Sequence, residues 1–155
     1  MYRQLYWLAE HHGIPFKMPP AHPFNPLPAL RLVIAVGPNR KNVETAFDMI
    51  WQEGRDLMDP ENVAELGKRL GVGDVQAALA DDAVKARLKS NTDEAIAAGV
   101  FGVPSFLIGS ALFWGQDSLE MMLDYLKDPG LFDTPEMRRA CVLPVGMARK
   151  GISKA

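Results

Sequence analysis

The chain reads as an α/β protein dominated by helix, and three observations carry that expectation. Apolar residues recur at helical spacing in successive stretches between residues 2 and 99. The period then changes to alternation across residues 105–114, around a Gly-Ser pair. Hydrophobic residues make up 48% and charged residues 23%, the usage of an ordinary folded domain. At 155 residues one domain is expected, large enough to bury about two thirds of its surface.

The elements follow in order. Tyr2, Leu5, Tyr6, Leu8 and Ala9 share one helical face, and Gly13 supplies a stop. Pro15, Pro19, Pro20, Pro23, Pro26 and Pro28 come next. They remove backbone donors and fix φ, so this passage is extended and outside any sheet, either a rigid connector or a pocket wall. Residues 28–36 form a short apolar helix around Leu30, Leu32, Val33 and Ile34, closed by Gly37-Pro38. Asn42 reads as the N-cap of a helix whose stripe is Val43, Ala46, Phe47, Ile50 and Trp51. Asp59 before Pro60 caps the next, with Val63, Leu66 and Leu70 inward and Gly71 at its end. Asp74 opens a short helix through Leu79. Asp81 or Asp82 caps a longer one that carries Val84, Leu88, Ala95 and Ile96 on one side and stops at Gly99. Residues 40–99 are thus expected to make a helical subdomain with Phe47, Ile50, Trp51, Leu66, Leu70 and Leu88 facing inward.

Strands are expected at about 105–108 and 111–114, joined by Gly109-Ser110 in a type II′ turn. Asp117 and Glu120 have the spacing of a capping box for a helix with Leu119, Met122, Leu123 and Leu126, ended by Asp128-Pro129-Gly130. Periodicity weakens over residues 128–155. Arg138, Arg139, Arg149, Lys150 and Lys154 fall there with no acid after 137, the pattern of a weakly structured basic tail. A lone hairpin is marginal in water, so this one either packs on helices or belongs with strands outside the chain.

Charge and cysteine content exclude several functions. A net charge of −2 argues against nucleic acid, which calls for a concentrated basic face. No apolar run is long enough for a membrane helix. The opening MYRQLYWLAE carries charges where a signal peptide is apolar, so a cytoplasmic protein is expected. Cys141 is the single cysteine, which rules out an internal disulfide or a CxxC pair, and its place in the tail argues against a catalytic thiol. His11, His12 and His22 are not at metal spacing with any cysteine or carboxylate cluster, so no metal is expected. Trp51 and Trp114 lie in apolar runs and read as core or pocket wall. Arg55-Asp56 reads as a local ion pair or helix-end interaction.

The sharpest local feature is GVFGVPSFLI from Gly99, followed by FWGQDSL from Phe113. Val103-Pro104 stands at a strand start, where proline is tolerated and a cis bond is accessible. Such a bond would turn the Val103 N–H and C=O toward an open cleft, free to pair with the backbone of a peptide-like ligand. Asp117 at a helix start suits an amino acid ligand, whose carboxylate meets the helix N-terminus while its ammonium meets Asp117. Singly, Pro104 begins a strand and Asp117 caps a helix. Their joint occurrence on two elements linked by a hairpin favours a ligand.

These residues resemble a family. GVFGVPSFLIGSALFWGQDSL is similar to the C-terminal signature of the 2-hydroxychromene-2-carboxylate isomerases, relatives of kappa-class glutathione transferases in the DsbA-like branch of the thioredoxin fold. RQLYWLAEHHGIPFKMPPAHPFNPLPALR resembles the family's helix and its proline-rich segment, and WQEGRD from Trp51 resembles a helix end of the family. The likeness covers about 2–127 in order. It implies that residues 1–127 are the C-terminal part of a DsbA-like thioredoxin domain, with a helical insertion at about 27–99 and the tail at 128–155. It also implies glutathione as cofactor, held at Val103, Pro104, Gln116 and Asp117. Asn25 and Arg31 match polar positions of the proline-rich segment and would orient the carboxylate of a small aromatic substrate. Their plainer reading is a turn asparagine and an exposed helix arginine.

The family opens with a strand, a helix bearing a Ser-Pro-Tyr-like motif and a second strand, a unit of about 30 residues or more. The serine is held to meet the glutathione sulfur. Nothing of this kind stands before residues 2–12, so the expectation is a truncated, impaired member whose catalytic serine lies outside the chain. Self-association or a homodimer, through an open sheet edge, is expected with it. The function implied is glutathione-dependent isomerisation of 2-hydroxychromene-2-carboxylate in aromatic-compound degradation. A kappa-class-like glutathione transferase and a non-catalytic fragment are the alternatives. A disulfide oxidoreductase is disfavoured, because it would need a CxxC.

Overall fold

A computed structural model describes residues 2–144. The chain forms two compact units that part between Ala95 and Ile96. The first holds helices α1 (Tyr2–His12), α2 (Leu27–Val36), α3 (Arg40–Phe47), which runs on into a π-helical turn at Asp48–Gln52, α4 (Pro60–Leu70), α5 (Val75–Ala80) and most of α6 (Asp82–Ala97). The second holds strands β1 (Ser105–Ile108) and β2 (Ala111–Trp114), a 3-10 turn at Gln116–Ser118, α7 (Leu119–Lys127), a 3-10 turn at Pro129–Asp133 and α8 (Pro135–Ala140). Among the described residues no helix is long and apolar enough to cross a membrane.

The core of the first unit forms where α2, α3, the π turn and α4 converge. Leu32, Met49 and Leu66 are wholly buried there, with Ala29, Val33, Ala46, Ile50, Leu57 and Val63 around them. The proline-rich passage is a packed wall. His22, Phe24 and Phe16 surround the Trp51 ring with centroids 5.8, 5.9 and 6.3 Å away, and the Lys17 N–H donates to the Trp51 carbonyl (2.7 Å). Helix α1 forms as expected and Gly13 ends it at φ 64°, but of its apolar face only Ala9 is buried.

Several caps match their sequence signals. Asp59 accepts from the Glu61 N–H, Asp74 from the Ala77 N–H and Asp81 from the Ala83 N–H. Two expectations in this unit are corrected. Helix α3 begins at Arg40, and its cap is Asn39, whose side chain accepts from the Asn42 N–H. Asn42 is already helical and its amide donates instead to the Gly37 carbonyl (2.8 Å), tying the new helix to the end of α2. Phe47 is 59% exposed rather than inward. Directly after it, residues 48–52 take π bonding, with the Glu53 N–H reaching the Asp48 carbonyl. The inward face is centred on Ala46, Met49 and Ile50. Ile50 and Leu66 are buried as expected, and Trp51, Leu70 and Leu88 are half-buried.

Gly67 sets the distance between α4 and α5. It is buried in the middle of α4, and a Cβ there would fall on the Cγ2 of Val75. Alanine in a helix interior normally gains about 1 kcal/mol over glycine. Val75 is stiff at χ1 and cannot swing clear. Gly67→Ala is therefore expected to destabilise by about 1–3 kcal/mol in urea titrations, overpacking outweighing propensity. A stabilised variant would mean that α5 moves freely against α4.

In the second unit β1 and β2 pair antiparallel with Ser105 opposite Trp114 and Ile108 opposite Ala111. Gly109 at φ 59° followed by Ser110 at negative φ fits the expected type II′ turn. Phe113 is 1% exposed and packs its ring on Tyr125 of α7 and on Phe132 (5.5 and 5.9 Å). Residues 128–140, expected to be weakly structured, instead fold into two short helical turns. Asp128 and Thr134 cap them, each followed by a proline already set at helical φ. Arg149, Lys150 and Lys154 of the expected basic tail lie outside the described residues.

Candidate functional site

The hairpin positions one cluster. Val103-Pro104 is a cis peptide leading into β1, as the sequence predicts. Val103 is 88% exposed, and among the described residues neither its N–H nor its C=O takes a backbone partner. Directly after β2, the Gly115 N–H donates to the Pro104 carbonyl (2.9 Å), closing the hairpin across its base. Gly115 stands at φ 88°, a conformation that side-chain-bearing residues avoid, and turns the chain into Gln116–Ser118. The Ser118 hydroxyl locks that turn by donating back to the Gly115 carbonyl (2.8 Å). Val103, Pro104, Gln116 and Asp117 are thus brought together, with Gly115 as the joint.

Asp117 is exposed and does not cap α7. It lies within the 3-10 turn, one residue before the cap position, which Ser118 holds without a side-chain cap hydrogen bond. The expected box with Glu120 does not form. Its carboxylate folds against the Cα of Gly115 instead, where a Cβ would collide with Oδ1. An uncommitted carboxylate beside unpaired backbone groups can meet a cation while the backbone meets a peptide. Gly115 was not among the sequence candidates; a glycine wedged between an apolar strand and a Gln-Asp pair is the signal that marks it.

Asn25 and Arg31 belong to the first unit. The Asn25 side-chain oxygen accepts from the Leu27 N–H (3.0 Å), turning the chain into α2. Asn25 also lines a cavity of about 240 Å³ with Pro28, Leu57, Met58, Gln76 and Leu79. Arg31 is half-buried, not the exposed arginine of the plainer reading. Its Nη1 donates to the Leu79 carbonyl (3.3 Å), so it ties α2 to α5, and its Nε is buried without a partner.

The strongest charge cluster lies elsewhere. Glu53 accepts from both terminal guanidinium nitrogens of Arg69 and sits 3.3 Å from Arg55. The Arg69 hydrogen bond holds the Glu53 carboxyl below the usual carboxylate range, and the same bond, with that of Glu65, raises Arg69. These side chains brace the segment after the π turn against α4. Among the described residues no three His, Cys, Asp or Glu side chains gather closely enough to hold a metal ion.

A strand opened by a cis X-Pro bond and hairpinned back, after a helical unit, fits a protein of thioredoxin-like class. The chain belongs to the DSBA-like thioredoxin domain family, whose family model matches residues 1–127. It is 32% identical over 148 residues to "Glutathione s-transferase kappa 2" of Caenorhabditis elegans, covering 83% of this chain and 66% of that protein. It resembles the solved structure of a 2-hydroxychromene-2-carboxylate isomerase with a TM-score of 0.63 at 23% identity, over 90% of this chain and 66% of that one. The latter is a likeness of fold. The chain spans about two thirds of the length of each.

Proposed function

We propose that the chain serves glutathione-dependent isomerisation of 2-hydroxychromene-2-carboxylate-type substrates. The observation that carries this reading is the cluster at the base of the hairpin. Val103 offers an exposed backbone N–H and C=O, and Asp117 offers an uncommitted carboxylate joined to it through Gly115. These groups suit a tripeptide. The Val103 amide and carbonyl would pair with its backbone as a short added strand. Asp117 would take its ammonium group. Pro104 and Gln116 flank the two anchors. When bound, glutathione supplies a thiolate able to add reversibly to an unsaturated substrate. The chain's own part is to hold the peptide.

A second reading, a kappa-class-like glutathione transferase, is favoured by the 32% identity to the nematode protein of that name. Calorimetric titration with glutathione, followed by absorbance assays with 2-hydroxychromene-2-carboxylate and with 1-chloro-2,4-dinitrobenzene, separates the two. Glutathione binding with turnover of the chromene supports the isomerase, and conjugation without isomerisation supports the transferase. Asp117→Ala is expected to weaken glutathione binding about three- to tenfold, the range for an exposed ionic hydrogen bond. A chain that does not bind glutathione would end both readings.

A further inference from the structure

The cavity at the start of α2 has no part in the hairpin cluster. It lies wholly within the first unit and holds about 240 Å³. An apolar protein cavity of about 150 Å³ admits benzene, so this one has room for a six-membered ring and a small polar substituent. Leu57 and Val63 line it and are buried, with Leu79 of α5 and Pro28 of α2 half-buried beside them. Met58 also lines it and is 60% exposed, which opens the cavity to solvent.

Polar groups enter the lining at two points. The Asn25 side-chain oxygen is committed to the Leu27 N–H, which leaves its NH₂ to donate. The Gln76 side chain is exposed and takes no hydrogen bond among the described residues, so it can accept or donate. No lining residue carries a charge. Arg31 is not among them, and its guanidinium holds Leu79 by the backbone carbonyl. Asp56 and Asp59 bracket Leu57 and Met58 in sequence, with carboxylates that accept from the Met58 and Glu61 N–H groups. An anion entering here would lose water and gain no cation, a costly exchange. The walls are also set in advance. Pro28 and Pro60 fix φ in the first turns of α2 and α4, and the Asn62 amide donates to the Asp56 carbonyl (2.9 Å), closing the segment between them.

We propose that this cavity is a second ligand site, for a small uncharged molecule with one six-membered ring bearing a carboxamide or ketone. The ring lies on Leu57, Val63 and Leu79. The Asn25 NH₂ donates to the carbonyl oxygen, and Gln76 pairs with whatever polar group stands beside it. The site is independent of the glutathione reading and needs no thiol.

The test titrates benzamide and benzoate, alike in shape and different in charge, into the ¹⁵N-labelled full chain while backbone amide resonances are followed by NMR. Benzamide is expected to shift the amides of Leu27, Leu57, Met58, Val63 and Leu79 and to saturate in the low millimolar range, as suits a fragment of this size. Benzoate should bind about tenfold more weakly or less. Asn25→Asp keeps the acceptor for the Leu27 N–H, and so the start of α2, but removes the donor; it should weaken benzamide binding about tenfold. Gln76→Leu, at an exposed helical position, should weaken it about threefold. No shift at about 10 mM benzamide, or shifts centred outside this cavity, would overturn the site. Benzoate binding as tightly as benzamide would overturn the uncharged ligand class. Unchanged benzamide affinity in both variants would overturn the roles of the two amides.

Discussion

Replacing Phe113 with alanine is expected to cost the second unit about 3–5 kcal/mol, the range for a large aromatic removed from a filled core. Its ring is 1% exposed and holds β2 against Tyr125 of α7 and against Phe132. Tyr125 and Phe132 stack on each other at 5.0 Å, so the three rings form one cluster. A two-stranded sheet has little stability of its own and depends on what packs against it. Removing Phe113 leaves a cavity where strand, helix and 3-10 turn meet, and none of the three can collapse inward alone. Urea unfolding followed by tyrosine fluorescence and circular dichroism measures the loss. A change below 1 kcal/mol would mean that the hairpin is held by other contacts.

A similar loss is expected for Leu66→Ala in the first unit, about 2–5 kcal/mol. Leu66 is 0% exposed and sits in the cluster with Leu32 and Met49, where α2, α4 and the π turn meet. Phe47→Ala is the matched control. Although the larger side chain, Phe47 is 59% exposed, and its replacement is expected to change stability by about 0.5 kcal/mol or less. Denaturant titrations of the two variants decide which face of α3 is inward. Equal losses would restore Phe47 to the core.

How much of this fold was legible in the sequence differs by element, and the reasons are local. The hairpin was readable to the residue because alternation, a Gly-Ser loop and a preceding proline all agree. Asp59 and Asp74 were readable because each stands just ahead of a helix in which nothing competes for the cap, whereas Asp81 had an equal neighbour in Asp82 and only the structure separates them. Asn42 reads as a cap in the sequence although Asn39 holds the position, since both are good cap residues three apart and only the chain path after Gly37-Pro38 decides between them. The short turns at 129–140 carry no apolar stripe, so periodicity passes over them; their only signal is a capping residue followed by proline. In the candidate site, Val103 and Pro104 were marked by motif. The role of Asp117 as a cap was misjudged because the turning begins at Gly115, a backbone event that a D-x-x-E spacing does not register. The bond from Arg31 to the Leu79 carbonyl spans 48 residues, and nothing local in either segment announces it.

The hydrogen bond from Gly115 to Pro104 has a thermodynamic consequence. Together with the ladder from Ser105–Trp114 to Ile108–Ala111, it converts residues 104–115 into a closed loop whose two ends meet. The entropy of bringing those ends together is spent when the chain folds, not when something binds. A ligand docking at Val103 as proposed would meet Gln116 and Asp117 at a separation already fixed, and would lose only its own freedom in docking. On the proposed reading the base of the hairpin would act as a caliper, answering to ligands whose two polar ends match its span.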